Sequence, residues 1–229
     1  MRVYAISDLH LLGGSDKSMS VFGSHWDGHF KRIGADWRAR VTPEDLVLLP
    51  GDLSWAMKLE DALEDIALVA ALPGRKVISR GNHDYWWNSI SRVRDALPQD
   101  MYALQNDALN IENVTLCGTR GWTLPGDEWS KEDERIYRRE LKRLELSLDA
   151  AGRIAQDRTL LCMLHYPPLT EAQKDTEVTA MLEQAGVKHV LYGHLHGPSL
   201  KGAFRGGHNG VMYHQVSCDG TGFQLVEII

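Results

Sequence analysis

The stretch Arg80-Gly81-Asn82-His83-Asp84-Tyr85-Trp86-Trp87 follows the β-rich run Lys76-Val77-Ile78-Ser79. An apolar strand therefore ends in an amide, an imidazole and a carboxylate side by side, with two Trp directly after. Such an end is either a very polar turn or part of a site. Four other strand-like runs decide between the two. Val3-Tyr4-Ala5-Ile6 ends in Ser7-Asp8-Leu9-His10, and Leu46-Val47-Leu48-Leu49 ends in Pro50-Gly51-Asp52. The run at 160–164 ends in His165-Tyr166-Pro167-Pro168, and the run at 187–192 ends in Gly193-His194-Leu195-His196. Five apolar runs thus finish, at their C-terminal ends, in Asp, Asn or His. In open α/β sheets, ligands bind in the crevice beyond those ends.

Helical patterns fill the spaces between the strands. Leu59, Leu63, Ile66 and Ala70 recur at helical spacing until Pro73-Gly74 stops them. The clearest helix is expected over 132–150, where Tyr137, Leu141, Leu144 and Leu148 form one stripe and mixed charges cover the rest. A further helix is expected over 179–185. Beyond Gly202, short β runs at 211–216 and 223–228 with frequent Gly predict antiparallel hairpins. The stretch 13–24 reads as the most loop-like. No repeat or linker divides the 229 residues, so one domain is expected over 1–229. The fold class is α/β, with two mixed sheets packed together and flanked by helices.

Composition bounds the partners. With 43% hydrophobic and 24% charged residues the chain reads as soluble and globular. The longest apolar run, 66–72, is far short of the roughly 20 residues that span a bilayer. No secretory pattern follows Arg2, and the three cysteines Cys117, Cys162 and Cys218 are dispersed, as expected of buried thiols in a reducing cytoplasm. A net charge of -6 argues against a nucleic-acid backbone as the main partner.

The residue types at the strand ends suit a metal centre, because His, Asp and Asn bind borderline divalent ions. Asp8 and His10 stand at i and i+2, as do His194 and His196, so each pair can point into one site. Gly51, Gly81 and Gly193 permit the tight turns beside them. Asp8, His10, Asp52, Asn82, His165, His194 and His196 are too many ligands for one ion. Two ions sharing a carboxylate would use them, with Asp52 as the bridge.

The order Asp-x-His, Gly-Asp, Gly-Asn-His-Asp, His, Gly-His-x-His resembles the calcineurin-like metallophosphoesterase superfamily, from Asp8 to His196. The resemblance implies one ion on Asp8, His10, Asp52 and His196, and a second on Asp52, Asn82, His165 and His194. It implies His83 as a catalytic group over the substrate phosphate, assisting the leaving group, and Asp84 as the residue that orients it. The ions would be manganese or iron, with zinc, cobalt or nickel as alternatives. The reaction would be hydrolysis of a small phosphoester, more readily a diester, by in-line attack of a water bridging two ions. Two other readings stand beside it: a non-catalytic metal-binding module of the same fold, and a nuclease. Arg120 is a candidate phosphate contact and Trp55 a candidate substrate platform. Trp86 and Trp87 are either platform or packing. Asp84 is alternatively the cap of a helix near Tyr85. His25, His29, His189, His208 and His214 are read as surface or core residues.

Overall fold

In the computed structural model, residues 1–14, 19–126 and 128–229 are described. The first half runs β1 (Val3–Ala5), α1 (His29–Arg40), β2 (Leu46–Pro50), α2 (Leu59–Ala70), β3 (Arg75–Ser79), α3 (Ile90–Ala96) and β4 (Met101–Leu104). The second half runs β5 (Ala108–Ile111), β6 (Val114–Thr119), α4 (Lys131–Ile154), β7 (Thr159–Leu164), α5 (Glu177–Gln184), β8 (His189–Tyr192), β9 (Gly206–His208), β10 (Val211–Gln215) and β11 (Val226–Glu227). The strands form a sheet of five, in the order β11-β1-β2-β3-β4, and a sheet of six, in the order β5-β6-β7-β8-β10-β9. In the first, β1 to β4 are parallel and β11 is antiparallel. In the second, β6, β7, β8 and β10 are parallel, while β5 and β9 close the edges antiparallel.

Period-two alternation places the sheets in register as a sandwich. Val3, Ala5, Leu46, Leu48 and Val77 of the first sheet meet Val114, Leu116, Leu161, Met163 and Leu191 of the second in a shared inter-sheet core. The alternate residues point outward. Tyr4, Ile6, Val47 and Leu49 pack under α1, α2 and the Trp residues, and Cys117, Leu160, Cys162 and Leu164 pack under α4 and α5. These strands are buried on both faces, which explains their near-continuous apolar sequence. All three cysteines are free and buried.

The long helix α4 begins at a capping box in which Ser130 and Asp133 bond each other's backbone amides. Three elements were not legible in advance. The helix α1 buries Ile33 and Trp37 at i and i+4, a pattern masked by the charged residues around it. Strands β4 and β5 are four residues each and draw their partners from the sheets rather than from their own pattern. The C-terminal region departs from simple hairpins. β9 and β10 do form one, but β10 joins β8 in parallel and β11 crosses to the other sheet beside β1. Of the loop-like stretch at 13–24, residues 15–18 lie outside the described residues, and 19–22 and 24–26 form single 3-10 turns. Among the described residues no helix is long and apolar enough to cross a membrane.

Candidate metal centre

The C-terminal ends of β1, β2, β3, β7 and β8 converge at one rim, and all seven predicted ligands come with them. Asp8, His10, Asp52 and His194 all hold positive φ, between 45° and 71°. Non-glycine residues seldom adopt that conformation, and where they cluster the surrounding structure enforces it for function. Two glycines make room. A Cβ on Gly81 would collide with the Asp52 carboxylate, and one on Gly193 with Asp8 and Ser7.

Asp8, His10 and His196 form one convergent group and Asp8, Asp52 and His165 another, each with ligand atoms within 4.8 Å of one another. His196 Nε2 lies 3.3 Å from Asp8 Oδ1 and 3.4 Å from His10 Nε2. Asp52 Oδ1 accepts the His83 amide at 2.8 Å. Its other oxygen, Oδ2, is thereby left between His10 Nε2 at 3.8 Å and His165 Nε2 at 3.4 Å. On the far side, Asn82 Oδ1 sits 2.6 Å from His165 Nε2 and 2.9 Å from His194 Nδ1.

The tautomers test whether a cation fits. His165 Nδ1 faces the Pro50 carbonyl at 3.1 Å, and a carbonyl can only accept. The proton therefore sits on Nδ1, and the lone pair of Nε2 points at the Asn82 carbonyl oxygen. Two acceptors face each other at hydrogen-bond distance, an arrangement that a cation ligated by both would relieve. The ring orientation, set by an acceptor behind the ligand nitrogen, is the usual outer support of a metal-bound imidazole.

Electrostatics agree. Burial pulls His10 down to about 3, His165 to about 4 and His194 to about 3. These rings are neutral at neutral pH, the form that coordinates a metal. Burial, with Asp84 and Asp8 alongside, pushes the Asp52 carboxyl well above its usual range. Crowded carboxylates of this kind call for positive charge. His196 behaves differently. Burial works to lower it, but its hydrogen bonds to Asp219 and Asp8 outweigh that and push it up to about 10. The same bonds act on Asp8, where burial is outweighed by His196 and the neighbouring imidazoles, and the carboxyl stays far below its usual range.

Two outer residues matter, and sequence reasoning placed one differently and missed the other. Asp84 was expected to orient His83. Its fully buried carboxylate instead accepts from the backbone amides of Gly81 (2.7 Å), Asp52 (2.8 Å), Leu53 (3.0 Å) and Ser54 (3.3 Å), and from Trp86 Nε1 (3.0 Å). It clamps the Asp52 loop to the Asn82 loop. Nor does it cap a helix, since α3 begins only after Ser89. Asp219 was not foreseen. It accepts from His196 Nδ1 at 2.8 Å and from the amides of Gly197 and Gly220 at 3.1 and 3.0 Å. Its signal was thin: one Asp in a Gly-rich loop, far down the chain from His196.

His83 lies beside the ligands, its ring 5.7 Å from that of His10 and 4.5 Å from that of Trp55. Trp55 stacks on His10 at 4.8 Å and 20°. These rings line a hollow of about 320 Å³ that also takes in Trp26, Phe22, His25 and His196. Trp86 and Trp87, by contrast, are packing residues, each 1% exposed within the first core. Arg120 lies on the other flank of the centre. Its carbonyl accepts the amides of His165 and Tyr166, and its guanidinium covers Trp122 at 4.8 Å. Of the five other histidines, His29 is held between the carbonyls of Leu9 (2.8 Å) and Trp26 (3.2 Å), and His189 pairs with His214 at 3.1 Å. His208 meets Asp175, and His25 borders the hollow.

A double-sheet α/β sandwich with this Asp/His cluster at its strand ends is compatible with a divalent metal centre. The chain belongs to the calcineurin-like phosphoesterases: that family's model matches residues 1–198, a span that holds all seven candidate ligands, with Asp219 beyond it. Solved structures share the fold at low identity. A protein of unknown function from Aquifex aeolicus is 16% identical, with 99% of this chain and 95% of that one covered and a TM-score of 0.52. The phosphopantetheinyl hydrolase of Mycobacterium tuberculosis is 13% identical, with 100% and 95% covered and a TM-score of 0.57. No curated protein sequence matches significantly. Family and site together support a metal-dependent phosphoesterase.

Proposed function

We propose that this chain is a phosphodiesterase with a dinuclear centre, acting on a small phosphoester in the cytoplasm. Asp8, His10, Asp52 and His196 would hold one divalent ion, and Asp52, Asn82, His165 and His194 the other. The observation that carries this reading is the position of Asp52 Oδ2 between His10 and His165, with Oδ1 already engaged by the His83 amide. That oxygen is free to serve both ions. Manganese or iron is the first choice for a mixed nitrogen and oxygen set, and zinc, cobalt and nickel are alternatives. Two ions so held supply Lewis acidity toward phosphoryl oxygens and an acidified water as nucleophile.

The protein's own groups do the rest. His83 stands between the ligands and the aromatic hollow, where a leaving oxygen would depart, and donates a proton to it. Trp55 walls the hollow and holds the His10 ring by stacking. The hollow favours a diester over a monoester, since it has room for an organic substituent of the substrate beside the metal ligands. Asp84 holds the two loops in register and is a positioning residue.

The test is turnover of bis-p-nitrophenyl phosphate against p-nitrophenyl phosphate by manganese-loaded protein. A metal-dependent preference for the diester is expected, and a preference for the monoester would overturn the diesterase assignment. Phosphopantetheinyl compounds belong in the wider substrate panel, given the fold shared with the Mycobacterium tuberculosis hydrolase. For a diester with a poor leaving group, His83→Ala should lower turnover by roughly 10²–10⁴, the scale of general acid catalysis, with metal content unchanged. An unaffected rate would remove His83 from the reaction, whereas bound metal without turnover of any ester would favour the non-catalytic module.

A further inference from the structure

A second hollow, of about 300 Å³, opens on the flank of the metal centre away from Trp55. Its walls are the ends of β3, β4 and β6 and one face of α4. They bring together four arginines, Arg80, Arg120, Arg139 and Arg143, and one carboxylate, Glu140. For a chain whose net charge is -6, this is a concentrated positive site.

The guanidinium groups are poorly matched by the protein. Glu140 is nearly buried and is spent on Arg143 at 2.5 Å and on the Thr119 hydroxyl at 2.7 Å. Arg120 reaches it only at 4.0 Å. The Nε atoms of Arg80 and Arg120 are buried, with no hydrogen-bond partner among the described residues. A buried N–H of a permanently charged group is costly to leave unmatched, so such atoms mark an absent acceptor. Planar guanidinium forks that converge on one space suit a tetrahedral oxyanion, which can accept two bonds from each.

The place is significant too. Arg80 stands two residues before Asn82, and the Arg120 carbonyl holds the His165 amide. The hollow therefore borders the second ligand group, as the aromatic hollow borders the first.

We infer that this arginine hollow is an anion site that binds a doubly charged phosphate group, separate from the phosphoryl group at the metal centre. The phosphate is either the remote end of a substrate that carries two phosphates or a free phosphate ion. Binding at the hollow does not depend on the catalytic reading above.

The test uses metal-loaded protein with nitrogen-labelled arginine, titrated with inorganic phosphate at constant ionic strength. The Nε–H resonances of Arg80 and Arg120, assigned through Arg80→Lys and Arg120→Lys, should shift and saturate before that of the exposed Arg153 moves. Arg139 is exposed, so Arg139→Gln perturbs packing least. With Arg143→Gln it should weaken the binding read at Arg80 roughly ten- to hundredfold, the loss expected for charge-assisted bonds. Resonances that move only together with Arg153, that respond equally to chloride, or that keep their affinity in the double variant would overturn the site. The source is read from KM for a p-nitrophenyl nucleotide diester with and without a terminal phosphate on its sugar. A KM at least tenfold lower with the phosphate, and equal in the double variant, assigns the site to the substrate's remote end. Equal KM values with phosphate still bound at Arg80 and Arg120 assign it to the free ion. Either result upholds the site.

Discussion

The two sheets contribute to the centre in different ways. The five-stranded sheet brings the proposed oxygen ligands Asp8, Asp52 and Asn82, with His10 as its one proposed imidazole ligand. The six-stranded sheet brings only imidazoles, His165, His194 and His196. The oxygen side is tied by backbone. Asp84 gathers four amides, the His194 amide bonds Asp8 at 3.1 Å, and Asp52 takes the His83 amide. On the imidazole side two rings are each aimed by one acceptor behind the ring, Pro50 O for His165 and Asp219 for His196. The difference follows from chemistry. Carboxylates crowded in a buried space need several donors to stay ionised, whereas a neutral ring needs only one partner to fix its tautomer. Damage to the first sheet should therefore show as lost ions and lost stability, and damage to the second as graded loss of affinity.

Asp52→Ala should have the largest effect. It removes the carboxylate whose Oδ2 lies between His10 and His165, so the proposed stoichiometry of two ions should fall, with turnover at background. Metal analysis after gel filtration decides the matter, and two tightly held ions in this variant would break the bridging assignment. Asp84→Asn should follow. It turns an amide N–H toward buried donors, each costing about 1–3 kcal/mol when stranded, so urea denaturation should show a loss of about 3 kcal/mol. An unchanged midpoint would mean that the clamp carries little.

Asp219→Asn tests the other side. Loss of a carboxylate behind a ligand imidazole typically weakens metal affinity 10–100-fold, and competition with a chelator should read a value in that range. A drop in the number of ions would instead make Asp219 equivalent to Asp52 and erase the contrast between the sheets. The smallest and most gradual effect concerns pH in chelator-treated protein. His10, His165 and His194 have folded values of about 3, 4 and 3, below the ordinary histidine value of 6.5. The unfolded chain binds protons first as pH falls below 6.5, so these rings should erode stability between that pH and about 3. His196, raised to about 10, has the opposite sign: its contribution is complete below 6.5 and is lost as pH rises toward 10. Denaturation midpoints at several pH values should fall at both ends, and a flat profile would mean that the rings are not buried as described.

The candidate ligands were legible because each is local. Asp8 and His10, Asp52, Asn82, His165, and His194 and His196 all stand immediately after an apolar strand, and the rule that parallel strands present their C-terminal ends together needs no coordinates. The sandwich was legible in the same way, from apolar runs buried on both faces. Less was legible where a role depends on what lies across a gap. Asp84 looked like a partner for its chain neighbour His83, but a strand-end turn aims its carboxylate inward at the amides of residues 52–54. Arg120 looked like a lone phosphate contact, and only the packing of α4 against β6 sets Arg139 and Arg143 beside it and beside Arg80.

The sequence by itself determined the chemistry of the centre: which donors, in what order, at the ends of which strands. Local spacing and strand polarity suffice for that. The tertiary structure alone decided which groups support those donors and what flanks them. Asp219 meets His196, and arginines at the ends of β3 and β6 and on α4 come to line one hollow, because segments far apart in the chain pack together, and no local pattern encodes that packing.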